Sequence, residues 1–195
     1  MKKSSLVLVI AFLISACGAT ATEPPSIATV PPEALATPVC ISPEPTDADI
    51  DRALTYTEDL FSGTDWERTY TVGGGRVSVT WSNGVEAAIA YLEAMIFPCT
   101  YEEPDLNNFF NAENWQVIFA NYESYQSVAE CKTDTGLRLY QFSAVDSGFT
   151  YNIKYWVEND TETRIIGMMI VFPAESTALM DEYSNNLFPE LTSCK

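Results

Sequence analysis

An α+β fold is what this sequence predicts, and three observations predict it. Apolar residues recur at helical spacing through much of the first part of the folded region. They switch to alternation with period two between about residues 124 and 172. The links between the alternating segments are short and polar. Such links cannot hold a crossover, so neighbouring strands pair antiparallel. The predicted architecture is an antiparallel sheet, made of an N-terminal hairpin plus a four-strand meander, with helices packed on one side.

The folded region starts near Asp47. Over residues 47–61, Ile50, Ala53, Leu54, Thr57, Leu60 and Phe61 share one helical face, and Gly63 suits the stop. Asp47, Asp49 and Asp51 lie in the first turns, where the helix dipole favours anions. Two short alternating segments follow. Trp66, Arg68, Tyr70 and Val72 form one row, Val77, Val79 and Trp81 the other, and Gly73-Gly74-Gly75 turns the chain between them. A second helix is predicted from Asn83, a capping residue with Glu86 three positions on, to the residues before Pro98. Its stripe is Val85, Ala88, Ile89, Leu92 and Ile96.

Pro104 suits the first position of a further helix carrying Leu106, Phe109 and Phe110, and Trp115, Ile118, Phe119 and Tyr122 mark another. Four strands are predicted at 124–132, 137–144, 149–158 and 164–172. The last is apolar on both faces and belongs in a central or covered position. A final helix is predicted over 174–187, with Ser176 as its cap. This order of elements, over about 110 residues, resembles the loosely cone-like fold of nuclear-transport-factor and ketosteroid-isomerase relatives. The resemblance lies in element order only, so no active-site residue is carried over.

Ahead of the domain, Met1-Lys2-Lys3 precedes an apolar run from Leu6 to Ile14, and Leu13-Ile14-Ser15-Ala16-Cys17 closes it. The run is shorter than the ~20 residues a spanning helix needs. A charged start, a short apolar centre and small residues at a cut site describe an export signal. The closing pentapeptide resembles the lipobox of bacterial lipoproteins. That resemblance implies cleavage before Cys17, which then carries a diacylglycerol and holds the protein to the membrane on its extracytoplasmic face. The expected organisation is a signal peptide over 1–16, a lipidated Cys17 with a proline-rich tether over 17–46, and one domain over 47–195. Seven of the eleven prolines fall in 18–46, which holds no aromatic residue and cannot build a core. In polyproline II form it reaches at most ~90 Å.

The formal charge of −17 falls to −19 once Lys2 and Lys3 leave with the signal. Such a surface repels nucleic acid, whose binding needs Lys and Arg against phosphate. It also repels anionic lipid headgroups, which leaves anchoring to the lipid. The chain has no histidine, which excludes Ser-His-Asp and Cys-His chemistry and the commonest zinc ligand. No cofactor is implied.

Beyond Cys17, the cysteines are Cys40, Cys99, Cys131 and Cys194. An even count in an exported chain reads as two disulfides. Three pairings are open, and proximity of domain termini favours Cys40–Cys194 with Cys99–Cys131.

Two patterns invite a chemical reading. Asp47, Asp49, Asp51 and Glu58 stand at positions one, three, five and twelve of a loop that resembles a calcium-binding EF-hand. Arg52 occupies the position where that loop turns on a glycine, and the same residues make a good amphipathic helix, so the helix is the preferred reading. The row Phe149, Tyr151, Ile153 and Tyr155 suits either a sheet core or the wall of a sugar or apolar site, and core is preferred. Trp156, on the opposite face with Thr150, Asn152 and Lys154, reads as an edge aromatic. No catalytic residue emerges.

The function expected is a non-enzymatic binding or interaction module of the cell envelope, facing a small molecule, a glycan or another envelope protein. The alternatives are a carboxylate-dependent glycan hydrolase, which needs a pair of acids, and a calcium-dependent adhesion module.

Overall fold

The computed structural model describes residues 44–195. The signal, Cys17, Cys40 and the tether up to residue 43 lie outside the described residues. Helix α1 (Asp47–Thr55) comes first, followed by β1 (Glu67–Gly73), β2 (Arg76–Asn83) and β3 (Ala88–Ile96). Helices α2 (Glu103–Phe109) and α3 (Ala112–Ile118) come next. Strands β4 (Ser124–Lys132), β5 (Arg138–Asp146), β6 (Phe149–Thr161) and β7 (Arg164–Pro173) follow, and α4 (Thr177–Leu187) ends the series. The fold is α+β with a seven-stranded sheet in the order β1-β2-β3-β7-β6-β5-β4. Every pairing is antiparallel. The hairpin and the meander are both present, and β7, apolar on both faces, takes the central place.

One predicted helix is a strand. Residues 88–96 form β3, lying between β2 and β7. Val85, Ala88, Ile89, Leu92 and Ile96 satisfy helical spacing. However, Ala88, Ala90, Leu92 and Ala94 alternate onto one buried face. Three of those four are alanines, which carry little apolar signal, and two flanking strands override a modest helix preference. Asn83 does cap, though it caps a turn. Its Oδ1 accepts from the N–H groups of Val85 and Glu86, both at 3.0 Å, and the chain reverses into β3.

The helices cover both faces of the sheet, where one side was expected. On the first face, α1 and α4 enclose Val79, Trp81, Leu92, Leu139, Trp156, Met168 and Phe172 together with Ala53, Met180 and Phe188. On the second, α2 and α3 bring Leu106, Phe110, Trp115 and the adjacent Phe119 against Tyr140, Phe142, Ile153, Tyr155 and Val171. Strand β7 is apolar on both faces, and β5 and β6 add Leu139 and Trp156 to the first face and Tyr140, Phe142, Ile153 and Tyr155 to the second, so each face needs cover. Trp156 is therefore not an edge aromatic: it is fully buried, stacks on Phe188 and donates from Nε1 to the Leu191 carbonyl at 2.8 Å.

The C-terminal segment crosses the first face beyond α4. Cys194 is bonded to Cys131 of β4, and its N–H donates to Gln141 Oε1 at 2.8 Å. This pairing replaces the Cys40–Cys194 and Cys99–Cys131 arrangement. The reason is geometric: β4 is the sheet edge beside which the chain ends. Cys99, just after β3, is disulfide-bonded as well.

Candidate ligand site

The second face is covered only in part. Helices α2 and α3 lie over β5, β6 and β7, and their cover runs out at Ile118, where α3 ends. Beyond that point β1, β2 and β3 present Thr69, Thr71, Ser78, Thr80, Tyr91 and Glu93, residues that the sheet register places side by side on this face. At the boundary lies a cavity of about 300 Å³ lined by Arg76, Tyr91, Glu93, Ile118, Tyr155 and Met169. That volume is at the lower end of the range for small-molecule sites.

Each wall follows from the register. Glu93 lies opposite Ser78 on β2 and Gly167 on β7, and Tyr91 lies opposite Thr80 and Met169. Glu93 is 8% exposed, and Arg76 Nη1 donates to its Oε1 at 2.6 Å. A buried carboxylate needs such a partner, because desolvating an unpaired charge is costly; Arg76 supplies it while keeping half of its side chain in solvent. Tyr91 donates from its hydroxyl to Ser78 Oγ at 3.1 Å. Tyr155, on β6, reaches across Gly167: a β-carbon built on that glycine would sit 2.3 Å from the tyrosine oxygen. A glycine inside a central strand otherwise weakens it, so here it marks a close approach.

Burial raises the phenol of Tyr155 well above its ordinary range, and the Glu93 charge adds to the shift. Burial raises Tyr91 likewise, again with Glu93 as the next cause. Both phenols stay protonated at physiological pH. The cavity thus offers two neutral hydroxyls, a guanidinium and carboxylate that neutralise one another, and the apolar ends of Ile118 and Met169.

Larger clefts exist, but their charges are already spent or exposed. One of about 650 Å³ runs beside the end of α1, with Glu58, Asp59, Glu158 and Glu190 in its walls. Glu158 accepts from the Tyr56 hydroxyl, and Arg52 is bound to Asp160 at 2.8 Å; Glu58, Asp59 and Glu190 are exposed. Another, of about 520 Å³, holds Glu103, which is paired with Lys132 at 2.6 Å and Arg138 at 3.3 Å.

The calcium-like residues do not converge. Asp47, Asp49 and Asp51 sit in α1, where a step of two residues turns 200° around the axis, so Asp49 faces away from the other two. Asp49 closes a capping box with Thr46 and pairs with Arg164. Glu58 lies in the turn after α1 with φ of 50°. No group of three or more metal-ligating side chains occurs among the described residues. Gly74 and Gly75 form the β1–β2 turn, with Gly73 closing β1 opposite Arg76. In the aromatic row, Tyr151, Ile153 and Tyr155 pack beneath α2 and α3, while Phe149 is exposed.

Sequence reading missed Arg76, Tyr91, Glu93 and Gly167. Glu93 was hidden by assigning its strand to a helix. Gly167 was visible as the one break in the apolar run Ile165-Ile166-Gly167-Met168-Met169-Ile170.

No family model matches the chain, and no curated protein matches it. Among solved structures, the crystal structure of human STARD10 is similar to this chain at 10% identity, covering 78% of this chain and 83% of that one, with a TM-score of 0.28. An overlap that loose decides neither the ligand nor the family of this chain. No helix among the described residues is long and apolar enough to cross a membrane.

Proposed function

We propose that this protein is an exported, lipid-anchored binding module that presents the Glu93–Tyr91–Tyr155 cavity to a small, uncharged, hydroxyl-bearing ligand such as a saccharide unit. The observation that carries the ligand class is the buried Glu93 carboxylate, paired with the half-exposed Arg76, beside two protonated phenols. The pair cancels its own charge, which disfavours an ionic ligand, yet it retains acceptor and donor positions. Ile118 and Met169 supply an apolar patch for one ring face. Glycan hydrolysis is the weaker reading for this cavity. It needs two carboxyl groups, and Glu93 is the one carboxylate among the residues lining it.

Export is supported by the order of features that ends in Cys17 and by the Cys131–Cys194 bond, which belongs in an oxidising compartment. Cys17→Ser is expected to abolish membrane partitioning and labelling by a fatty-acid probe. Labelling that persists overturns the anchor.

The ligand class is tested by saturation-transfer NMR of the full chain against neutral mono- and oligosaccharides. At least one is expected to bind, and Tyr91→Phe, which removes one hydroxyl and keeps the ring, is expected to weaken it about 5- to 10-fold, the worth of about one hydrogen bond. Failure of the whole panel to bind at millimolar concentration overturns the saccharide assignment.

A further inference from the structure

The two edges of the sheet are built differently. Strand β4 carries a register shift at Val128, two charges at Glu130 and Lys132, and a covalent tie through Cys131. These are the devices by which edges avoid pairing with other chains. Strand β1 has neither the register shift nor the covalent tie, and its two charges, Glu67 and Arg68, sit together at one end. Its register with β2 is unbroken over seven residues, it contains no proline, and every one of its residues is exposed. Tyr70 and Val72, at 54% and 44% exposure, lie on the same face as the buried Val77 and Val79 of the next strand. About half the backbone N–H and C=O groups of such an edge point away from its neighbour. Thr69, Tyr70, Thr71 and Val72 all favour strands.

We propose that β1 pairs antiparallel with β1 of a second copy of this chain, joining two sheets into one of fourteen strands. Charge selects this occupant. From Glu67 through Asn83 the chain carries Arg68 and Arg76 against Glu67 alone, a net of +1, while the remainder carries −18. The β1–β2 hairpin is therefore a stretch where two such acidic molecules meet without opposing their excess negative charge. A two-fold pairing centred on Tyr70 sets Tyr70 against its counterpart and Thr69 against Thr71. It also sets Arg68 against Val72 and Glu67 against Gly73. The charged end of each strand meets the uncharged end of the other, so no like charges stand directly opposite. The resulting contact is isologous, as a closed dimer requires.

The test is a benzophenone side chain placed at position 70 of the full chain in cells carrying two differently tagged copies, with the same probe at exposed Val117 as the comparison. Irradiation is expected to give an adduct containing both tags from position 70 and none from position 117. Absence of that adduct, or an adduct holding only some other protein, overturns the proposal. Tyr70→Lys sets two ammonium groups opposite each other, outside the core. In the purified full chain it is expected to raise the dimer dissociation constant at least tenfold by sedimentation equilibrium, with an unchanged circular dichroism spectrum. An unaltered equilibrium, or a wild-type chain that sediments as a monomer throughout, also overturns it.

Discussion

The two halves of one continuous sheet obey different rules. Strands β5, β6 and β7 lie between helices on both faces; β7 reads as one long apolar stretch, while β5 and β6 alternate apolar and polar residues. Strands β2 and β3 are covered by α1 and α4 on one face and β1 is exposed, while the other face carries Thr, Ser, Tyr and a paired Glu. Packing on both faces belongs to the first half, and the proposed recognition surface to the second. The cavity falls at the border, where Tyr155 and Met169 of the covered half meet Tyr91 and Glu93 of the open one. A site at that border has rigid walls on one side and solvent access on the other.

The sharpest way to break this contrast is to hollow the covered half. Trp115 packs within 5.7 Å of the rings of Phe110, Tyr140, Phe142 and Tyr155. Trp115→Ala is expected to cost about 3–5 kcal/mol in denaturant unfolding. Thr80→Ala on the open half is expected to stay within about 0.5 kcal/mol. Equal losses at the two positions contradict the contrast.

The disulfide sharpens it further. Cys131–Cys194 ties the β4 edge to the segment laid over β5 and β6. Replacing both cysteines by serine is expected to cost about 2–4 kcal/mol. Hydrogen exchange is expected to accelerate first in β4, β5 and the C-terminal segment. Acceleration centred on β1 and β2 would show that the bond acts through the whole fold instead.

The same division decides how much was legible in the sequence. The hairpin was readable because Val77, Val79 and Trp81 alternate against small polar neighbours around a triple glycine. The meander was readable because its turns are short and polar. Strand β3 was not, because its buried row of Ala88, Ala90 and Ala94 looks much the same at period two and period 3.6. The two-sided placement of helices was hidden too: periodicity shows which residues a helix buries and leaves open which face of a sheet receives them. The site was least legible, since it is assembled by cross-strand register among β2, β3, β6 and β7, and register is a tertiary property. Gly167 was its one local trace.

Gly167→Ala tests that trace directly. A methyl group there meets the Tyr155 oxygen at 2.3 Å, and the ring is held by Phe110 and Trp115. The hydroxyl has to leave its place over the strand. The expected cost is about 1–3 kcal/mol of stability, together with loss of saccharide binding. The double variant with Tyr155→Phe, which removes the clashing oxygen, is expected to recover most of the stability and none of the binding. Recovery of both would remove Tyr155 from the site.

The smallest expected effect is a pH dependence confined to the α1 side. Burial alone would raise the Asp160 carboxyl, but hydrogen bonds from Arg52 and Arg164, and their charges, outweigh it and hold the group below its ordinary value. Asp49 behaves alike: burial raises it, while the hydrogen bonds from Thr46 and the pairing with Arg164 lower it further. A carboxyl depressed in the folded state contributes stability above its unfolded pKa, about 3.9 for aspartate. That contribution is lost as pH falls through the folded value. Asp160→Asn is therefore expected to cost about 1 kcal/mol at pH 7. The gap from wild type should begin to narrow as pH drops below about 4, the unfolded value, and close as pH falls through the lower folded value. The network joins α1 to the β6–β7 turn and touches neither β1 nor the cavity. Saccharide affinity is accordingly expected to be unchanged in this variant at neutral pH. A variant that lost affinity along with stability would mean the two halves of the sheet are coupled through α1, and that the open half is held in shape by the ion pairs as well as by its own strands.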